Sequence, residues 1–376
     1  MPNLAVILPT PFWTVYMANF STTDEHDFYS VLRNRVKLHF KDNQISQYGA
    51  NYQLLTTIGL LLLLFLPYGL ILTGKFSLLT MLFLAAIMGV AIAGLGMAVM
   101  HDANHGSYSS YPTLSKIVGY ITYVTIIGGN PICWKIQHNF LHHRYTNIYG
   151  KDEDLDPYGT MRFTPIAQQK KIHRFQHLYA VFLYGLSTLL WALHKEFFQL
   201  VRYRQLNLIK SDASLIRNLT LLVMAKCFYF GYLMVLPLLF LNITFFQWLL
   251  GFFVFHFVSG FIISIVFQLA HVGRKVNFPV LNHEGNIDNQ WAVHQMQTTA
   301  NFSPDSKLLF WFIGGLNYQI EHHLFPNINH IHYNKIATIV RATAAEFGLP
   351  YHSSKTFFHA IKAHFDFMKT LGAPKT

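Results

Sequence analysis

Apolar residues in this chain run in long unbroken blocks, without the alternation of half-buried strands or the 3.6-residue rhythm of surface helices. Two blocks stand back to back at 53–73 and 77–99, parted by a polar turn at Gly74-Lys75. A second pair covers 219–241 and 245–270, joined only by the link at 241–244. Each block reaches the roughly 20 residues that a helix needs to cross a bilayer. The pattern predicts an all-α integral membrane protein with four transmembrane helices in two hairpins. Blocks at 114–128 and 178–193 are also apolar but shorter, and they are expected in the interface or under a cap.

Composition agrees, with 52% hydrophobic and 12% charged residues, against roughly 25% charged in soluble domains. The distribution of the cations adds orientation. Lys75 is alone in the first hairpin turn and the link at Asn242 has none, whereas the arm before residue 53, the 100–217 region and the tail after His271 hold nearly all the others. By the positive-inside rule those three segments are cytosolic. The expected organisation is an N-terminal cytosolic arm at 1–52, a membrane domain at 53–345 and a C-terminal cytosolic tail at 346–376. A helical cap would be built from 100–217 and 272–376. The net charge of +11 fits this orientation and attraction to anionic lipid, and no nucleic-acid partner is read from it. Residues 1–23 are apolar but contain Pro9 and Pro11 and lack a basic start, unlike a secretory signal peptide. Cys133 and Cys227 make no disulfide framework, zinc ribbon or haem-attachment spacing. Gly94-Leu-Gly96 inside an apolar block suits close helix packing.

Three histidine clusters interrupt this apolar background: His101 and His105, then His138, His142 and His143, then His322 and His323. All fall in the cytosolic segments or at their edges. Histidines at i and i+4 share a helix face, so each cluster can aim imidazoles at one point. His271 closes the fourth apolar block and can reach the same place from the membrane floor. His294 is a weaker candidate, as support or ligand, and His330 and His332 follow the last cluster. His173 and His177 sit among Lys170, Lys171 and Arg174, which oppose a cation, and are expected at the surface or in support. His256 lies within a block and reads as packing. Asp102, Asn104, Glu321 and Asn301 are suited to orient imidazoles. The acidic run from Asp152 to Asp156 lacks the glycine of a calcium loop and reads as a solvated turn or ion-pair cap. Eight imidazoles without thiolates exceed a closed four-ligand zinc site. Two redox metals with open positions fit better, and iron suits O2 activation and hydrogen removal from an unactivated methylene. The chemistry would rest on the metal ligands, with no further catalytic side chain.

The order HDANH, HNFLHH, QIEHH, with HRYTN after the second box and HLFP after the third, resembles the membrane fatty acid desaturase family over residues 50–345. Gln319, which opens the third box, is similar to the front-end branch, as in bacterial linoleoyl-CoA desaturase-like proteins. The resemblance implies a mushroom-like membrane domain, a cytosolic centre of two Fe ions, O2 as co-substrate and a cis double bond placed on the carboxyl side of an existing one. Δ6 is the implied position, with Δ5 second. It implies His101, His105, His138, His142, His143, His271, His322 and His323 as ligands, and Gln319 stands where related enzymes have a further histidine. No histidine precedes a proline, so the His-Pro-Gly-Gly of a fused cytochrome b5 domain is missing. A separate electron donor is therefore expected, ferredoxin or cytochrome b5 with its reductase. The substrate is an acyl-CoA or an acyl-lipid, and the expected setting is a bacterial inner membrane, or the endoplasmic reticulum in a eukaryote. A sphingolipid desaturase or a histidine-box hydroxylase would use nearly the same ligands. A metal cation transporter would need ionisable residues along its spans, where only Lys226 and His256 lie.

Overall fold

Polar residues at the block edges set where the long helices begin. Ser77 accepts from the Thr80 N–H, Ser211 from Ser214 N–H, and Thr244 forms a reciprocal cap with Gln247, so the first unpaired amides of each helix are satisfied. The computed structural model describes residues 18–21 and 27–374; most of the apolar stretch at 1–23 lies outside them. In chain order the principal helices are α1 (Phe28–Asp42), α2 (Asn51–Leu72), α3 (Leu78–His105), α4 (Pro112–Ile126), α5 (Pro131–Tyr145), α6 (Lys171–Gln205), α7 (Asp212–Phe240) and α8 (Phe245–His271). The cap adds α9 (Trp291–Thr298), α10 (Gln319–Leu324), α11 (Tyr333–Glu346) and α12 (Phe357–Gly372).

Among the described residues, five helices are long and apolar enough to cross a membrane: α2, α3, α6, α7 and α8. The four expected blocks are among them, and α6 is the addition. The 178–193 block reads as too short because polar residues flank it, yet His194-Lys195-Glu196 continue the helix instead of ending it. The first pair of helices also extends further than expected. α3 runs on through His105, so the first histidine pair belongs to the helix itself and not to a segment beyond it. α4 and α5 are bent by 113° at the short break between them, where Gly128 adopts φ +70°.

The helices α2, α3, α8 and α6 pack in that order, each on the next. The α6–α8 seam is close because both helices have glycine there: Gly185 lies against Phe257, and a Cβ on Gly260 would meet the Gly185 carbonyl at 2.6 Å. Such small residues let helix backbones approach in an apolar medium, where packing replaces the hydrophobic effect. Both ends of α6 touch the segment that follows α5. At the start, Gln176 Nε2 donates to Arg162 O at 3.1 Å. At the other end, Tyr203 OH donates to Glu153 at 3.0 Å. In the cap, α1 buries Phe28, Leu32 and Val36 against Met296, Ile320 and Leu324 of α9 and α10. Its Arg35 forms two 2.7 Å bonds to Glu346 of α11.

Candidate metal centre

Helix winding distributes the histidines. The stretch Leu95–Met100, just before His101, and the stretch Lys135–His142 are wound with i→i+5 hydrogen bonds, a local widening often found at functional sites. In a regular helix His138 and His142 would share a target. In the wider winding His138 Nε2 lies instead 3.2 Å from His143 Nε2 and 3.1 Å from His101 Nε2. His101, His105, His138 and His322 form one group whose ligand nitrogens all lie within 4.8 Å of one another; His142, His271 and His323 form a second to the same limit. His143 joins them, since its nitrogen lies within that distance of both His322 and His323. The second and third boxes therefore each serve both groups, contrary to the simple expectation of one target per box.

The geometry fits two metal ions. Imidazole nitrogens held at about 2.1 Å from one ion stand about 3.0–3.4 Å apart, which matches the His101–His138 and His138–His143 contacts. Among the described residues, the Nε2 atoms of His105, His142, His271, His322 and His323 are buried and have no hydrogen-bond partner, a costly state unless a ligand takes them. Burial, with neighbouring imidazoles adding to it, holds His138, His143, His322 and His323 well below the usual imidazole range, so they are neutral as metal binding requires. Burial also opposes charge on His142, but the carboxylates of Asp152 and Asp154 outweigh it and raise its pKa.

Ring atoms away from the centre are held by side chains that sequence reading did not single out for it. His142 Nδ1 is 3.1 Å from Asp152 Oδ2, His323 Nδ1 is 2.8 Å from Gln295 Oε1, and His322 Nδ1 is 3.3 Å from Tyr333 OH. Asp152 is buried at 1% exposure, which corrects the reading of its acidic run as a solvated turn; the turn folds inward because Asp152 meets His142 and the Asn147 N–H. Aromatic rings also face the groups. Trp134 stacks on His138 at 4.5 Å and meets His101 and His105 edge-on. Phe267 lies 4.9 Å from His142 and 5.0 Å from His271.

The remaining candidates sit further out. Gln319 is buried beside His271. His294 Nε2 bonds to Thr146 O at 2.8 Å, a tie to the backbone after the second box and outside both groups. Asp102 holds an imidazole, as expected, but that of His330 at 2.6 Å, outside both groups, and it also bonds to Asn329 at 2.8 Å; Asn104 donates to Met100 Sδ and not to an imidazole. Asn301 donates to Glu321 at 2.8 Å and accepts from Ile320 N–H, which fixes the start of the third box. His173, expected at the surface or in support, is buried at 1% exposure, with bonds to Lys170 N and Gly159 O. It lies in neither group, because its partners are the residue just before α6 and the segment that follows α5. His256 bonds to Tyr229 OH at 3.0 Å, and Lys226 lies 3.8 Å from Glu196, so each of these two has a local partner.

The sequence of the chain is similar to those of known proteins. The sequence profile described as fatty acid desaturase matches residues 76–355. The chain is 33% identical over 351 residues to the sn-1 linoleoyl-lipid 6-desaturase of Synechocystis sp., covering 93% of this chain and 97% of that protein. It is 32% identical over 356 residues to the acyl-lipid (8-3)-desaturase of Physcomitrium patens, covering 94% of this chain and 73% of that protein. A protein of Arthrospira platensis, also named sn-1 linoleoyl-lipid 6-desaturase, is 33% identical over 288 residues, 76% of each chain.

Proposed function

Since the chain belongs to the fatty acid desaturase family, we propose that it is a front-end desaturase that inserts a cis double bond at Δ6 of a polyunsaturated acyl chain carried on a glycerolipid. The observation that carries this reading is the pair of adjoining imidazole groups joined by His143. Two iron ions held there would, with O2, supply the oxidising power to take two hydrogens from adjacent methylenes. The eight histidines would hold them: His101, His105, His138 and His322 on one side, His142, His271 and His323 on the other, and His143 between. Gln319 sits beside His271 and shapes that flank. O2 accepts four electrons as it becomes two waters; the substrate gives two with its two hydrogens, and a separate one-electron donor such as ferredoxin or cytochrome b5 gives the other two. Trp134 and Phe267 exclude water from the imidazoles and offer an apolar surface for an acyl chain. The names of the cyanobacterial relatives support Δ6 and a lipid carrier; the moss relative keeps a second position in view.

The site also supports a reading of the topology. His101, His142, His271 and His322 meet at one place, and both ends of α6 contact the segment after the second box. We infer that α6 does not cross, that α2, α3, α7 and α8 do, and that the sparse charge at Lys75 and Asn242 puts the histidine side in the cytosol.

The test is product analysis in a heterologous host fed linoleate or α-linolenate. A new double bond located by mass spectrometry at Δ6 is expected. A bond on the methyl side of those present, or a hydroxylated product, would sink the reading.

A further inference from the structure

The two imidazole groups are not supported alike. In the His142–His271–His323 group, Asp152 is a hub. Its Oδ2 lies 3.1 Å from His142 Nδ1 and accepts from the Asn147 N–H at 3.0 Å. The Asn147 amide in turn donates to His271 O at 2.8 Å and to Thr298 O at 3.3 Å. One buried carboxylate thus fixes the ring of one ligand and, through Asn147, the backbone of a second. It also fixes the tautomer, because a proton on His142 Nδ1 aimed at Asp152 leaves Nε2 free for a metal, and that Nε2 is buried without a partner among the described residues. The third ligand, His323, has its Nδ1 on Gln295 Oε1. A second carboxylate stands behind the first: Asp154 lies 3.7 Å from His142 Nδ1 and is held by Gln137 Nε2 at 2.6 Å. Gln137 is held in turn by Gln199 of α6 at 2.8 Å.

Among the described residues, no carboxylate lies within hydrogen-bond distance of the other group's rings. His322 Nδ1 meets only the neutral Tyr333 hydroxyl, at 3.3 Å. Asp102 stands 3.9 Å from His101 Nδ1, too far for a hydrogen bond, and its Oδ2 is engaged by His330 and Asn329. Among the described residues His101 Nδ1 has no hydrogen-bond partner.

We propose that the two metal positions are unequal, and that Asp152 makes the His142–His271–His323 position the tighter one. A carboxylate on the far nitrogen raises the basicity of a ligating imidazole and locks its orientation, and loss of such a partner typically weakens metal binding by about 10–100-fold. The role is one of positioning, since Asp152 reaches the metal only through His142. The inference rests on the two-iron reading above.

The test uses full-length protein stripped of metal, reloaded anaerobically with Fe(II) and titrated with a chelator, with iron per chain counted and each iron followed by Mössbauer spectroscopy. Two irons released in two steps are expected. Asp152→Asn should weaken the tighter step by about 10–100-fold and leave the other in place. Asp154→Asn, at a partly exposed site, should shift the same step by less and serves if the buried variant fails to fold. Tyr333→Phe should move only the weaker step, and Asp156→Asn neither. Release of both irons in one step, or Asp variants that spare the tighter step or weaken both alike, would overturn the inference while leaving the desaturase reading intact. A chain that takes up no Fe(II) would overturn both.

Discussion

Gln295 sets its Oε1 2.8 Å from His323 Nδ1, and the same oxygen accepts from Thr146 Oγ1 at 3.0 Å. One amide oxygen therefore links α9, the third histidine box and the strand of chain that leaves the second. Replacing it with leucine keeps the volume and removes the acceptor. Gln295→Leu is expected to lower iron content and turnover at least about tenfold, in the range seen when the partner of a ligating histidine is lost. Gln295→Glu, which keeps an acceptor, should retain more of both. Iron per chain and product formation on the same preparations check this.

The proposed ligands separate from other buried histidines by a second comparison. His142→Ala and His322→Ala each remove one member of the converging set, and activity should fall below detection with membrane insertion unchanged. His173→Ala should stay active, since His173 lies in neither group. It should nevertheless lose some stability, because its two bonds to Lys170 N and Gly159 O are partly buried, and a lost hydrogen bond of this kind costs about 0.5–1.5 kcal/mol. Turnover together with thermal unfolding of each variant distinguishes the two kinds of histidine.

What the sequence revealed and what it hid have a common cause. The box histidines were legible because their spacing is local: His101 and His105, or His322 and His323, are near neighbours in an otherwise apolar context. The residues that hold them were not. Gln295 and Asp152 are ordinary polar side chains whose role exists only once α9 and the turn after α5 fold onto the boxes, and Thr146 meets Gln295 across 149 residues. The division of the boxes between two groups was hidden as well, since it depends on the wide winding at Lys135–His142 and not on residue type. The full length of α6 escaped because Lys195 and Glu196 look like a helix end, whereas Glu196 is buried and paired with Tyr123 OH at 2.9 Å.

The glycine seam supplies a prediction about packing alone. A Cβ at Gly260 would meet Gly185 O at 2.6 Å and Tyr184 O at 2.9 Å, and both are backbone atoms that cannot swing aside. Gly260→Val should push α6 from α8 and cost about 1–3 kcal/mol, with a lowered unfolding temperature. Gly251→Ala on the same helix, where the nearest atom to a Cβ is 4.0 Å away, should be tolerated. Equal stability of the two variants would mean that the seam does not hold α6 in place.

The placement of α6 relative to the bilayer is open to direct measurement. If α6 crossed, then α7 and α8 after it would make three crossings between the second box and His271, and His142 and His271 would face opposite sides. Their rings lie 4.7 Å apart, so an even number of crossings is required. Asn207, exposed in the turn between α6 and α7, and Thr338, exposed on α11, should therefore share a side, with exposed Asn242 opposite. In a background with Cys133 and Cys227 replaced by serine, single cysteines at 207 and 338 should react with an impermeant maleimide from the cytosolic face only, and one at 242 from the other. Labelling of 207 and 338 from the outer face, with 242 from the cytosolic one, would make α6 a span, and would set the membrane topology against the meeting of His142 with His271 on which the proposed metal centre depends.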